Sequence, residues 1–367
     1  MPHEFGRWWN CPKKHFKRTE SWLPRAQQIA AALHPRRPLR YLTLCARPMI
    51  DVFMLARAAL LEHDENFGHI SDVVFCESDP EDYPEITEML EMEGAGFPSK
   101  LEELVLFADD DFTRGFPDLT SVKLGLDDDL LSDAHRDRLK LKEQFFELTR
   151  KFPFDFLNLD FCGYYYPTPP SVLEINNTVK RIVDLQGPEG VDLDGKPLTV
   201  SRFVLSITCK FDERLPEDAF TRLEEIVTAN ARDYQRYREA IQESNRPLDS
   251  HQWRTNETYD FFLSSWPKEI LRIAADRGWN TEILDYLHYE RPGYRIVCLV
   301  VGLERHGKDE QYVDECLRAL DPATRIFVDE IARDSEIGTR LLADLQEIVA
   351  IRNERARSVG RPPLPEP

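Results

Sequence analysis

Apolar positions along this chain come in short runs bounded by turn residues and charges. The runs Leu39-Arg-Tyr-Leu-Thr-Leu-Cys-Ala46 and Ser201-Arg-Phe-Val-Leu-Ser-Ile-Thr-Cys209 are nearly continuous, the pattern of strands covered on both faces. Ser71–Glu77, Leu104–Phe107 and Phe154–Phe161 read as three further strands. Between them the spacing predicts helices over Asp51–His63, Pro84–Glu93, Ser132–Lys151 and Ser171–Leu185, then Pro216–Glu243 and Thr258–Arg277. Thr281–Tyr289 and Tyr294–Glu304 read as a hairpin joined by Glu290-Arg-Pro-Gly293. Strands alternating with helices imply an α/β fold: a mainly parallel Rossmann-like sheet with helices on both faces, closed by an antiparallel hairpin. Ligands of such sheets bind beyond the carboxyl ends of the strands.

Three segments follow from this order. Residues 1–38 form a basic, aromatic N-terminal arm with a short helix over Pro24–Leu33. Residues 39–305 form the sheet domain, and residues 306–367 a helical extension with a Pro-rich tail. The net charge of −19 is uneven. Residues 1–48 hold ten Lys/Arg against two acids, whereas 62–129 hold 21 acids against three Lys/Arg. The arm interleaves Trp8, Trp9 and Phe16 with Lys13, Lys14, Lys17 and Arg18. That mixture suits nucleic-acid contact, and equally suits docking on the acidic body of the same chain. The C-terminal helices offer a surface for a protein partner. No apolar run approaches the roughly 20 residues of a membrane span, and the N-terminus lacks the apolar core of a secretory signal. Seven cysteines without a C-x-x-C pair argue against a disulfide scaffold or a structural zinc site and for a cytoplasmic protein. No metal site is expected.

Asp160 is the acid that calls for an explanation. It lies deep in the apolar run 154–161, where a carboxylate is expensive unless it is paired or functional. Asn158, two residues earlier, points to the same side of the strand, and Gly163 lets the chain turn. A carboxylate here can orient an attacking amine or accept its proton; otherwise it caps nearby backbone. Tyr164, Tyr165 and Tyr166 can stack on a flat ring or dock a helix. No G-x-S-x-G elbow or H-x-x-x-H pair is present, which leaves hydrolase and zinc-enzyme readings without support.

In element order, and in the acids at its strand ends, residues 39–305 resemble the class I S-adenosylmethionine-dependent methyltransferases. That resemblance implies that the loop Ala46-Arg47-Pro48-Met49-Ile50-Asp51 lies under the cofactor S-adenosylmethionine. It further implies that Glu77 holds the ribose hydroxyls and that Asp109 or Asp110 lies near the adenine. The segment Asn158-Leu-Asp160-Phe-Cys-Gly163 is similar to the substrate-facing motif of tRNA guanosine dimethyltransferases, with Phe-Cys in place of Pro-Tyr. The first loop departs from the family because it carries no glycine, so its side chains crowd the place of the cofactor. Two functions follow as expectations. One is methyl transfer to a planar nitrogenous acceptor such as nucleic acid, with Asn158 and Asp160 orienting it and Gly163 and the three tyrosines lining its side. The other is a catalytically inactive, methyltransferase-like binding or regulatory subunit.

Overall fold

The computed structural model describes residues 11–33, 37–44, 46–65, 67, 69–91, 96–105, 133–166, 175–187, 190–191, 197–198, 201–211, 215–243, 258–291, 294–305, 309–328, 331 and 335–365. The chain enters through α1 (Pro12–Phe16), a π-helical segment (Lys17–Trp22) and α2 (Leu23–Leu33). β1 (Tyr41–Thr43), α3 (Ile50–Arg57), β2 (Val73–Cys76), α4 (Asp82–Leu90), β3 (Gly96–Phe97) and α5 (Leu101–Val105) follow. Next come α6 (Asp133–Thr149), β4 (Phe156–Tyr164), α7 (Ile175–Leu185), the small strands β5 (Gly190–Val191) and β6 (Pro197–Leu198), and β7 (Arg202–Phe211). The remainder is α8 (Glu217–Asp233), α9 (Gln235–Glu243), α10 (Thr258–Ala275), β8 (Trp279–Arg291), β9 (Tyr294–Arg305), α11 (Asp309–Leu320), β10 (Ile326–Phe327) and α12 (Glu336–Ser358).

Eight strands form one sheet in the order β10-β8-β9-β7-β4-β1-β2-β3. β3, β2, β1, β4 and β7 run parallel. β9 then inserts antiparallel beside β7, and β8 pairs antiparallel outside it, so the expected hairpin closes the sheet. β5 and β6 make a separate two-stranded ribbon.

The strand alternation sorts the core into two layers. Leu157, Leu159 and Phe161 of β4 join Leu205, Ile207, Leu299 and Val301 beneath α5–α11. Phe156, Val204, Cys298 and Val300 face the other way, beneath α1–α4 and α12. This second layer takes Trp22, Ala26 and Ile29 from the N-terminal segment and Leu345, Ile348 and Ala356 from the C-terminal one. Both ends of the chain therefore cover one face of the sheet. Cys76, Cys209, Cys298 and Cys316 are free and buried, as expected of small apolar residues.

Three element assignments differ from the sequence reading. The third strand is Gly96–Phe97, and Leu104–Val105 end helix α5. A four-residue apolar run does not separate a strand from a buried helical turn. The true strand is held by contact: a Cβ at Gly96 would come within 2.4 Å of the Phe75 ring, so only glycine fits there. The helix expected over 216–243 breaks at Tyr234, whose backbone is extended (φ −125°, ψ 110°). The C-terminal segment, read as helices alone, also adds the short edge strand β10 beside β8.

α12 is tied to the first parallel strands by a buried ion cluster. The Arg352 guanidinium donates to Glu85 Oε1 of α4 at 2.6 Å and to the Arg47 carbonyl at 3.3 Å. Arg47 Nε lies 3.0 Å from Glu85 Oε2. Burial depresses the Arg352 pKa, and Glu85 opposes that shift. Arg352→Met leaves Glu85 with only the half-exposed Arg47, and removing one partner of a buried pair costs about 3 kcal/mol. Urea unfolding should show that loss; a change below about 1 kcal/mol would show that Arg47 alone satisfies Glu85.

Candidate functional site

β1 ends at Thr43, and the chain crosses residues 44–49 before α3 begins at Ile50. Asp51, in the first turn of α3, is buried where a helix N-terminus favours a carboxylate. Its Oδ2 accepts hydrogen bonds from Tyr41 Oη (2.6 Å), Thr43 Oγ1 (2.9 Å) and Asn158 Nδ2 (3.2 Å). Burial, reinforced by Asp51, pushes the Tyr41 phenol well above its ordinary pKa and keeps it a donor. The sequence-predicted Asp51 and Asn158 are thus brought together across β1 and β4.

Asp160 lies beyond Asn158 on the same face of β4, and its partners come from the N-terminal helices. Lys14 Nζ is 2.7 Å from Asp160 Oδ2 and Lys17 Nζ is 3.7 Å away. Lys17 Nζ also donates to Thr208 Oγ1 of β7 at 2.7 Å and stands 4.2 Å from the centre of the Trp22 ring. Burial alone would raise the Asp160 pKa. Lys14, Lys17 and Arg18 outweigh it and hold the carboxyl well below the usual range. Arg18 is itself buried; desolvation lowers its pKa while Asp51 and Asp160 act to raise it.

The arm therefore docks on the body. Its anchors are Asp160, Asp285, held by Ser21 Oγ (3.0 Å) and Arg25 Nε (3.2 Å), and Asp344, held by His15 Nε2 (2.8 Å). Asp344 also pairs with Arg57. The His15 bond, aided by Arg57, brings Asp344 down to about 2. Lys14, Lys17 and Arg18, three of the four cations assigned to phosphate, point inward.

A narrow cleft remains where these elements meet. Lys14, Arg18 and Trp22 face Asp51, Asn158 and Asp160 across it, and Leu44, Ala46, Pro48, Met49 and Ile50 form its floor. With the helices docked it has room for about one water-sized group. Asn158 Oδ1, buried at its wall, has no hydrogen-bond partner. The glycine-free loop makes its turn at Met49, a buried residue in the left-handed region (φ 49°, ψ 30°). A non-glycine residue there carries about 1 kcal/mol of strain, which the packed side chain and the Arg352 anchor on Arg47 offset.

The other predicted residues fall as follows. Glu77 ends β2 and is half-buried; its Oε1 accepts the Asp79 backbone N–H at 2.8 Å. Burial raises its pKa against that bond. Asp79 accepts from the backbone of Glu81 (2.8 Å) and Asp82 (3.3 Å), which makes it a cap of α4. Asp109 and Asp110 lie outside the described residues. Gly163 and Tyr164 close β4. Tyr165 and Tyr166 are core residues rather than an open stacking platform. Tyr165 packs edge-on to Trp266 at 5.4 Å and Tyr166 edge-on to Phe262 at 6.3 Å.

Beneath those rings lies a second polar cluster. The buried Glu269 of α10 accepts from Tyr166 Oη and from Asn176 Nδ2 (2.8 Å), with Arg222 Nε 2.9 Å away. Asn176 is fully buried. The available signal was Lys268-Glu269 set between Trp266 and Ile270 in an apolar helix. Lys14, Lys17 and Arg18 were legible only as a charge run.

No family model, curated protein or solved structure matches this chain. Among the described residues no group of three or more His, Cys, Asp or Glu is placed to hold a metal ion, and no helix is long and apolar enough to cross a membrane. What the site offers is both signs of charge against an apolar floor, beyond the end of β1 and beside Asn158 and Asp160 of β4.

Asp160→Asn should lower stability near neutral pH by about 3 kcal/mol, because Lys14 and Lys17 lose their buried counter-charge. Asp160 has a depressed pKa in the folded state, so its contribution is present above the unfolded value of about 4 and fades as pH falls below it. The wild type should lose stability between about pH 5 and pH 2, and Asp160→Asn should flatten that decline. Denaturant titrations at several pH values check this; parallel curves would mean the ion pair does not contribute.

Proposed function

We propose that this chain is a methyltransferase of the class I, S-adenosylmethionine-dependent type. The observation that carries the reading is the strand order: five parallel strands followed by a hairpin in the same sheet, with the cleft beyond the end of β1 and beside Asn158 and Asp160 of β4. The chemistry of the cleft supports it. Asp51, Asp160 and Asn158, on the body side of the cleft, suit the cationic amino and sulfonium groups of S-adenosylmethionine. Glu77 stands at the end of β2 for the ribose hydroxyls, where a charged acceptor makes strong hydrogen bonds. The whole cofactor does not fit while α1 and α2 are docked. The acceptor side has Asp160 and Asn158 to orient a nitrogen, while the buried Tyr165 and Tyr166 rings give little support to a planar acceptor.

A second reading, a non-catalytic binding or regulatory subunit, is favoured by one contact: Lys14 occupies Asp160, the group assigned to the acceptor. On either reading, phosphate contact by the arm requires Lys14, Lys17 and Arg18 to give up internal partners.

Calorimetric titration of S-adenosylmethionine into the full chain separates the two readings. The methyltransferase reading expects binding that Glu77→Ala weakens by roughly 1.5–3 kcal/mol, the worth of hydrogen bonds to a charged group. Binding unchanged in a folded Glu77→Ala protein would remove Glu77 from the site. No binding at all, even with the N-terminal helices loosened, would leave the subunit reading.

A further inference from the structure

We propose that the N-terminal helices are an autoinhibitory gate: their docked state closes the cleft at Asp51, Asn158 and Asp160, and their release opens it. The proposal rests on the methyltransferase reading and adds the regulation of that site.

Three observations carry it. First, the arm supplies one whole wall of the cleft through Lys14, Arg18 and Trp22, and it satisfies the carboxylate that the acceptor would use. Second, a buried polar atom of the opposite wall, Asn158 Oδ1, is left without a partner in the closed state. Within the described residues nothing satisfies it, and a ligand atom or a single water in the cleft can do so. Third, the arm is clasped at points away from the cleft by side chains rather than by sheet pairing. These are Ser21 and Arg25 on Asp285, His15 on Asp344 and Arg340 on Glu20. The link Arg25–Asp285 is partly exposed and Arg340–Glu20 is exposed, and such pairs contribute little each. Besides the packing of Trp22, Ala26 and Ile29, the most buried of the arm's ion contacts is the one inside the site, Lys14 and Lys17 on Asp160. The same ion pair that closes the cleft is thus the pair a ligand must displace, and ligand binding and arm release become two sides of one equilibrium.

The gate makes a distinct demand on affinity. When only a fraction of the molecules is open, apparent affinity falls by that fraction. Loosening the arm anywhere along its length should then tighten binding at the cleft. Arg25 is suited to the test because it touches Asp285 and the Leu284 carbonyl and does not line the cleft. In the full chain, Arg25→Ala should speed hydrogen exchange across residues 12–33 and raise the affinity for S-adenosylmethionine roughly two- to fivefold. The double variant Arg25→Ala/Arg340→Ala, which also removes the clasp on Glu20, should do both more strongly. Circular dichroism and the unfolding midpoint establish that each variant is folded.

Faster exchange in the arm with affinity equal to a measurable wild-type value would overturn the gate and leave the methyltransferase reading standing. Faster exchange with no binding in any protein would overturn both. Exchange unchanged across 12–33 in both variants would show that the arm does not open as a unit, and would overturn the gate alone.

Discussion

A carboxylate on the covered face of a central strand has to be neutralised from somewhere. Asp160 draws its counter-charge from residues near the start of the chain. Lys14 and Lys17 reach it only because α1 and the π-helical segment lie flat across β4 and β7. That placement in turn fixes the rest of the layer. Trp22 packs on Phe156, Ser21 and Arg25 reach Asp285 on β8, and His15 meets Asp344 on α12. Asp160 sits on the strand beside Asn158 and Thr43, so the arm that neutralises it also roofs the end of β1 and the polar residues of β4. Structure and candidate site share one set of contacts.

The opposite face of the sheet is built differently. There the strands meet an apolar layer of α5–α11, which holds among its polar contacts a cluster of Glu269, Asn176 and Arg222. Burial raises the Glu269 pKa, while Arg222 and the Tyr166 hydroxyl oppose it. This cluster ties α7, α8 and α10 to the end of β4.

Much of the architecture was legible in the sequence because nearly continuous apolar strands, alternating with amphipathic helices, leave few other sheets to build. The hairpin was legible from the Pro-Gly turn between two β-branched and aromatic runs. β3 was not: it is two residues long, and what sets it in place is the Phe75 ring over Gly96, a contact between distant positions. The break at Tyr234 carries no Gly or Pro to announce it. At the site, Asp160 and Asn158 were legible as polar residues too deep in an apolar run. Their partners were not, because ion pairing across nearly 150 residues leaves no local pattern. For the same reason Tyr165 and Tyr166 read as readily as a stacking surface as the core residues they are.

The two ends of the chain meet on one face of the sheet, which has a consequence for how the protein is made. His15 finds Asp344 across 329 residues, and Lys17 finds Thr208 across 191. Made before the strands they cover, α1 and α2 have no surface to settle on until β4, β7 and β8 exist, and no His15 clasp until α12 is complete. Apolar Trp22 and Ile29 wait exposed through most of synthesis, when such surface invites association with other chains. Closure of this layer is a late, long-range step, and long-range steps are slow. The segment that finishes the fold is synthesised before the surface it covers.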